Sequence, residues 1–148
     1  MSGNVSGRAS VDTTDVTGRT TVICSAGRTV AGTDVATGSL PLIPPIPGMD
    51  DPKVIDVYDV HKNGLPEGKN VVICGGGLSA CDTALENAPE GRNITIVEMR
   101  SKIGADVMYI NAISINRLLK QYGVTCLTDT RVVGVNDEGV QVETQDGI

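Results

Sequence analysis

Lys69 to Met99 is the stretch that most restricts how this chain folds. It opens with an apolar run, Val71-Val72-Ile73-Cys74, and passes through three glycines, Gly75, Gly76 and Gly77. It then enters Leu78-Ser79-Ala80-Cys81-Asp82-Thr83-Ala84-Leu85-Glu86, a helical stretch that Pro89 and Gly91 stop. A second apolar run, Ile94-Thr95-Ile96-Val97, ends on Glu98. Strand, glycine turn, helix, strand and terminal acid, in this order, make the pattern of a dinucleotide-binding βαβ unit. A bare glycine triplet would mean little. Here the strand before it, the helix after it and an acid about 20 residues on all agree.

Each position has a physical task. Gly75 lets the chain leave the strand in a tight turn, and Gly77, without a Cβ, lets a pyrophosphate approach the backbone. Ala80, at the third position of the G-x-G-x-x-G/A pattern, keeps the helix close to the strand. A helix starting near Leu78 turns its free N–H groups and its positive dipole end towards the phosphates. The expected phosphate contacts are therefore the backbones of Gly75, Gly76, Gly77, Leu78 and Ser79. Glu98 is placed to accept hydrogen bonds from ribose hydroxyls. Met99 and Arg100 follow it directly at the same ribose, and Arg100 and Lys102 are cations within reach of a 2′-phosphate.

The chain has 148 residues, enough for one domain or a domain with an appendage. It lacks Trp and Phe and has three Tyr, so its core is built from Val, Ile, Leu and Ala. Such a core suits a parallel sheet buried on both faces. A net charge of −6, with scattered Lys and Arg, argues against nucleic-acid binding. No apolar run reaches the length of a membrane span and no secretory leader opens the chain, so a cytoplasmic location is expected. The four cysteines form no C-x-x-C pair, which leaves metal and thioredoxin-like sites without support. Cys74 and Cys126 lie in apolar runs and read as buried, reduced thiols.

Outside the central unit, Thr20-Thr21-Val22-Ile23-Cys24 and Thr29-Val30-Ala31 read as a strand pair joined by a turn at Ala26-Gly27-Arg28. The first twenty residues show little periodicity and read as an edge segment. Pro41, Pro44, Pro45 and Pro47 make the next segment extended and stiff, a connection rather than a helix. Val54 to Val60 reads as a short strand or helical turn. His61, the only histidine, precedes a turn signal and reads as a solvated loop residue. A helix is predicted from about Val107 to Tyr122, with Ile115, Leu118, Leu119 and Tyr122 on one buried face, ended by Gly123. Val124 to Leu127 reads as the third parallel strand. Arg131–Val135 and Val140–Thr144, joined at Asp137-Glu138-Gly139, read as a hairpin. Asp146-Gly147 is a further hairpin signal whose second strand does not follow. The edge left on Val140–Thr144 is expected to be covered by Thr20–Cys24, or by a second copy of the chain in a homodimer.

The run from Val71 to Ala84 resembles the NAD(P)H-binding domain of flavin-dependent pyridine-nucleotide oxidoreductases. Within these it is most similar to the NADH:flavin oxidoreductases related to 2-enoate reductase and 2,4-dienoyl-CoA reductase. Ile94 to Met99, the stretch Leu118 to Val124, the late β-meander and Ala36-Thr37-Gly38-Ser39-Leu40-Pro41-Leu42-Ile43-Pro44-Pro45-Ile46-Pro47-Gly48 carry the same likeness. It spans roughly residues 33 to 148. The resemblance implies a truncated Rossmann-like α/β domain with a parallel sheet and a meander. Residues 1–48 are then a remnant of an FAD-domain segment with a Pro-rich linker, and residues 49–148 the NAD(P)H-binding domain. It also implies that NAD(P)H passes a hydride to FAD. Ala80 leans towards NADP(H), but Glu98, whose carboxylate repels a 2′-phosphate, weighs more heavily and favours NADH. In the family's further parts, an iron–sulfur cluster and FMN in a barrel domain carry the electrons onward. Asp82 stands where the family has a Glu near the nicotinamide. It reads either as a cofactor contact or as an acid on the helix surface. Two other readings compete: an S-adenosylmethionine-dependent methyltransferase, which shares the glycine turn and the acid, and a non-catalytic Rossmann-like interaction domain.

Overall fold

The computed structural model of the chain describes residues 8–12, 20–24 and 43–144. Two sheets are formed. The larger is parallel and five-stranded, in the order β3 (Val54–Asp56), β2 (Thr20–Cys24), β4 (Asn70–Cys74), β5 (Asn93–Val97), β6 (Thr125–Leu127). The smaller is antiparallel, in the order β1 (Arg8–Asp12), β8 (Gly139–Thr144), β7 (Thr130–Asn136). Helices α1 (Val57–Asn63), α2 (Leu78–Asn87) and α3 (Tyr109–Gln121) complete the framework, with a 3₁₀ turn at Ala88–Glu90.

The alternation of side chains along a strand explains the layering. In β4, Val71 and Ile73 face one way and join Ile94 and Ile96 of β5 beneath the helices. Ala80, Cys81 and Ala84 of α2, Val60 of α1 and Leu119 of α3 close over them. Val72 and Val97 face the other way, against Val132, Val135, Val140 and Val142 of the antiparallel sheet. The parallel sheet is thus covered on both faces, as its continuous apolar strands predicted. Full burial of Ile73 and Ile96 is worth roughly 1.5–3 kcal/mol each.

The proline segment runs onto this second layer. The Val135 N–H donates to the Pro47 carbonyl at 2.9 Å, and Gly48 follows with φ +83°. A Cβ on Gly48 would stand 2.0 Å from the Val135 carbonyl oxygen, so only glycine lets the linker lie this close to β7.

Several expectations need correction. Thr20–Cys24 is a strand, but it lies inside the parallel sheet, paired with β3 on one side and β4 on the other. Its expected hairpin partner, Thr29–Ala31, falls outside the described residues, as does Asp146-Gly147. The β8 edge is paired by Arg8–Asp12, in place of Thr20–Cys24 or a second chain. That strand is the outer one of its sheet, as the weak periodicity of the first twenty residues implied. Val54 to Val60 forms both alternatives, a three-residue strand and then α1, because the Asp56 carboxylate accepts from the Asp59 N–H at 2.9 Å and starts the helix. His61 lies in the last turn of α1, not in a loop, with Nδ1 3.4 Å from Glu86 Oε2 and Nε2 3.4 Å from Thr83 Oγ1. On α3 only Leu119 is buried and Ile115 half-buried, while Leu118 and Tyr122 are exposed. α3 packs mainly along α2, with Leu119 turned into the shared core, so its buried stripe is narrow. Cys74 is half-buried and Cys126, on the edge strand β6, is exposed; among the described side chains the buried thiol is Cys81.

Candidate functional site

β4 ends at Cys74 and the chain turns through Gly75, whose φ of +104° only glycine adopts readily. Gly76 is buried, and the protein uses both of its polar groups. Its N–H donates to Glu98 Oε2 at 2.6 Å, and its carbonyl accepts from the Gly104 N–H at 2.7 Å. A Cβ here would lie 2.8 Å from Ile103 Cδ1 and 3.0 Å from Glu98 Cβ. Gly77 is the N-cap of α2 and offers no side-chain cap, and the first turn of α2 holds no acidic residue. Leu78 and Ser79 begin the helix on an exposed turn. The unpaired N–H groups of such a terminus, with the helix dipole behind them, attract an anion.

Glu98 is the main departure from expectation. Its carboxylate is buried against the turn: Oε2 accepts from Gly76, and Oε1 accepts from the Arg100 N–H at 2.8 Å. Its backbone is fixed as well. The Glu98 N–H donates to the Leu127 carbonyl at 2.8 Å, and the Thr130 N–H donates to the Glu98 carbonyl at 3.0 Å. Glu98 therefore organises the glycine turn besides facing the cavity. Each carboxylate oxygen accepts about two hydrogen bonds, so capacity for ribose hydroxyls remains.

A cavity of about 410 Å³ opens beside the turn. Gly75, Gly76, Gly77, Glu98, Met99 and Arg100 line it, six of the residues expected there. Leu78 and Ser79 follow at the helix start, and Asp82 lies one turn further on, exposed and outside the lining. The remaining walls come from Pro44 and Ile46 of the linker, Ala105 and Asp106 after Glu98, and Thr130, Arg131 and Val132 of β7. No local signal marks the β7 residues, because their place depends on how the second sheet stacks. The linker was readable as stiff and extended, but not as a wall.

Cys81, one turn into α2, has its thiol pushed up to about 12, first by burial and then by the Cys126 thiol and the carboxylates of Asp82, Asp106 and Glu98. Its Sγ lies 3.8 Å from the Gly76 carbonyl. A thiol held protonated in this way is a packing group and not a nucleophile. Among the described residues, no three His, Cys, Asp or Glu side chains gather to hold a metal ion. Among them, too, no helix is long and apolar enough to cross a membrane.

Comparison with known proteins agrees with this geometry. The pyridine nucleotide-disulphide oxidoreductase family pattern matches residues 4–148. A metal reductase of Desulforamulus reducens is 31% identical over 138 residues, covering 74% of this chain and 21% of that protein. An NADH oxidase of Thermoanaerobacter brockii is 32% identical over 117 residues, covering 76% of this chain and 18% of that protein. The solved structure of 2-naphthoyl-CoA reductase with 2-naphthoyl-CoA superposes with a TM-score of 0.70 at 27% identity, covering 87% of this chain and 18% of that one. The chain thus spans about a fifth of the length of these relatives. The methyltransferase alternative finds no support among them. A Rossmann-like parallel sheet, a glycine turn facing a buried acid and a family match over nearly the whole chain lead to one conclusion: the chain belongs to the pyridine nucleotide-disulphide oxidoreductase family, whose members are redox enzymes.

Proposed function

We propose that this chain is the nicotinamide-dinucleotide-binding module of a flavin-dependent oxidoreductase, and that it prefers NADH. One observation carries the reading: a glycine turn, the start of α2 and the Glu98 carboxylate meet at one cavity. Gly77, Leu78 and Ser79 would hold the pyrophosphate. Gly75 and Gly76 shape the turn, and the Gly76 N–H holds Glu98 in place. Glu98 would accept from the adenosine ribose, with Met99 and Arg100 beside it. Asp82 is assigned towards the nicotinamide end. Bound NADH supplies a hydride for FAD, and the protein supplies its position.

The preference for NADH rests on Glu98. Two like charges about 4 Å apart repel by roughly 1 kcal/mol in water and about 4 kcal/mol at a partly buried site. A 2′-phosphate beside this carboxylate therefore loses about tenfold or more in affinity. The name of the NADH oxidase relative supports the same choice. The 2-naphthoyl-CoA reductase likeness supports placing the parent enzyme near the enoate and dienoyl-CoA reductases. Within this reading the dinucleotide domain is residues 49–148. Residues 1–48 belong to the FAD-domain side and lend β1 and β2 to the two sheets. FAD, FMN and an iron–sulfur cluster would be held by other parts of such an enzyme.

Calorimetric titration with NADH, NADPH and S-adenosylmethionine tests the proposal. Binding of NADH, weaker binding of NADPH and none of S-adenosylmethionine are expected. A chain that binds S-adenosylmethionine, or gives no heat with NADH, does not have this function.

A further inference from the structure

Asp106 has no part in the dinucleotide site as argued so far, yet it stands inside it. It belongs to the segment between Glu98 and α3. The Gly104 N–H hydrogen bond to the Gly76 carbonyl clasps that segment to the glycine turn. Gly104 has φ +67°, and the Val107 N–H donates back to the Gly104 carbonyl at 3.0 Å, a turn that presents Asp106. The two carboxylate oxygens lie 3.5 and 3.8 Å from the point where a Cβ on Gly77 would stand. A glycine at this position leaves that same space for a pyrophosphate. Among the described residues, no hydrogen bond or ion pair holds the Asp106 carboxylate elsewhere. The start of α2 brings no acid and no side-chain cap of its own, so exposed Asp106 adds its negative charge to that of Glu98 beside this positive helix end.

We infer that Asp106 is a specificity-determining residue: its carboxylate is an internal anion that competes with the ligand's pyrophosphate for the start of α2. The inference rests on the dinucleotide reading above. Its consequence is selection by charge. The bridging pyrophosphate of a dinucleotide carries two negative charges, whereas ADP and free pyrophosphate end in a terminal phosphate with further charge, which the Asp106 carboxylate repels in addition. Asp106 thus selects dinucleotides against free polyphosphates and short nucleotides.

Asp106→Asn keeps the shape and removes the charge, and Asp106→Ala removes both. The full chain and both variants are titrated with NADH, ADP, inorganic pyrophosphate and adenosine. ADP and pyrophosphate are expected to bind both variants about five- to tenfold more tightly, the scale of one fully solvated like-charge contact, since Asp106 is exposed. NADH gains less, and adenosine does not change. Unchanged or weaker ADP binding in both variants, with circular dichroism as in the wild type, overturns the inference. So does an equal gain for adenosine, which would mark a reshaped cavity. If all three proteins bind NADH but neither variant gains affinity for ADP or pyrophosphate, only the role of Asp106 falls. If none binds NADH or ADP, the dinucleotide reading falls and this inference with it.

Discussion

Two neighbouring glycines carry different loads. Gly76 serves the protein, because a Cβ there meets Ile103 and Glu98 at 2.8 and 3.0 Å. In the proposed reading Gly77 serves a ligand, since a Cβ there meets only the Asp106 carboxylate, at ordinary contact distance. Gly76→Ala is therefore expected to destabilise the fold by about 1–3 kcal/mol, as overpacking does. Gly77→Val is expected to keep the fold and abolish NADH binding. Urea unfolding and NADH titration of both variants separate the two roles, and unchanged NADH affinity in folded Gly77→Val would remove this turn from the site. The sequence showed all three glycines but not this division, which depends on Ile103 folding back over the turn. The Cys81 thiol provides a second test at this scale. Its folded value, about 12 against an ordinary 9.0, means that the folded chain keeps a proton that the unfolded chain gives up. The contribution of this thiol to stability is thus complete below about pH 9 and is lost as pH rises from there towards 12. Burial also raises the Cys126 thiol, but its side chain is exposed, so native-state alkylation at alkaline pH should label Cys126 well before Cys81. Rapid labelling of Cys81 would contradict its burial.

At the scale of elements, strong local patterns were read correctly and weak ones were not. β4, α2 and β5 carry their own period, caps and breakers, and each falls where those signals put it. β2 carries the run Thr-Thr-Val-Ile-Cys, which fixes a strand but not its partners. Its place between β3 and β4 is a long-range pairing, invisible to local patterning. α3 erred in the opposite sense. Its apolar spacing suggested a broad buried face, but α3 packs mainly along α2 and turns only Leu119 fully into the shared core. The consequence is measurable. Leu119→Ala empties a fully buried site and should cost about 2–5 kcal/mol, whereas exposed Leu118→Ala should stay within about 0.5 kcal/mol. Comparable losses for the two variants in chemical unfolding would restore the broader face predicted from spacing.

At the scale of the molecule, the cavity beside the glycine turn and a single dinucleotide fingerprint bear on what the chain would do alone. Hydride transfer needs donor and acceptor held in contact, with their orbitals aligned. As proposed, the cavity beside Gly75–Gly77 takes the nicotinamide dinucleotide, and the sequence holds no second glycine fingerprint for a flavin. In the proposed reading, the acceptor is held by a separate domain, consistent with a chain that spans about a fifth of its relatives. The purified chain should therefore bind NADH, carry no stoichiometric flavin and oxidise NADH no faster than solution chemistry when free FAD is added. Dissolved FAD meets the bound nicotinamide only by chance encounter, without the alignment that makes a bimolecular step effectively intramolecular. Spectroscopy after gel filtration and an NADH-consumption assay with added FAD measure both statements. A yellow protein that keeps its flavin through the column would place a second binding site on this chain. FAD-dependent turnover that saturates with flavin would mean that the existing cavity and its walls also recruit the acceptor.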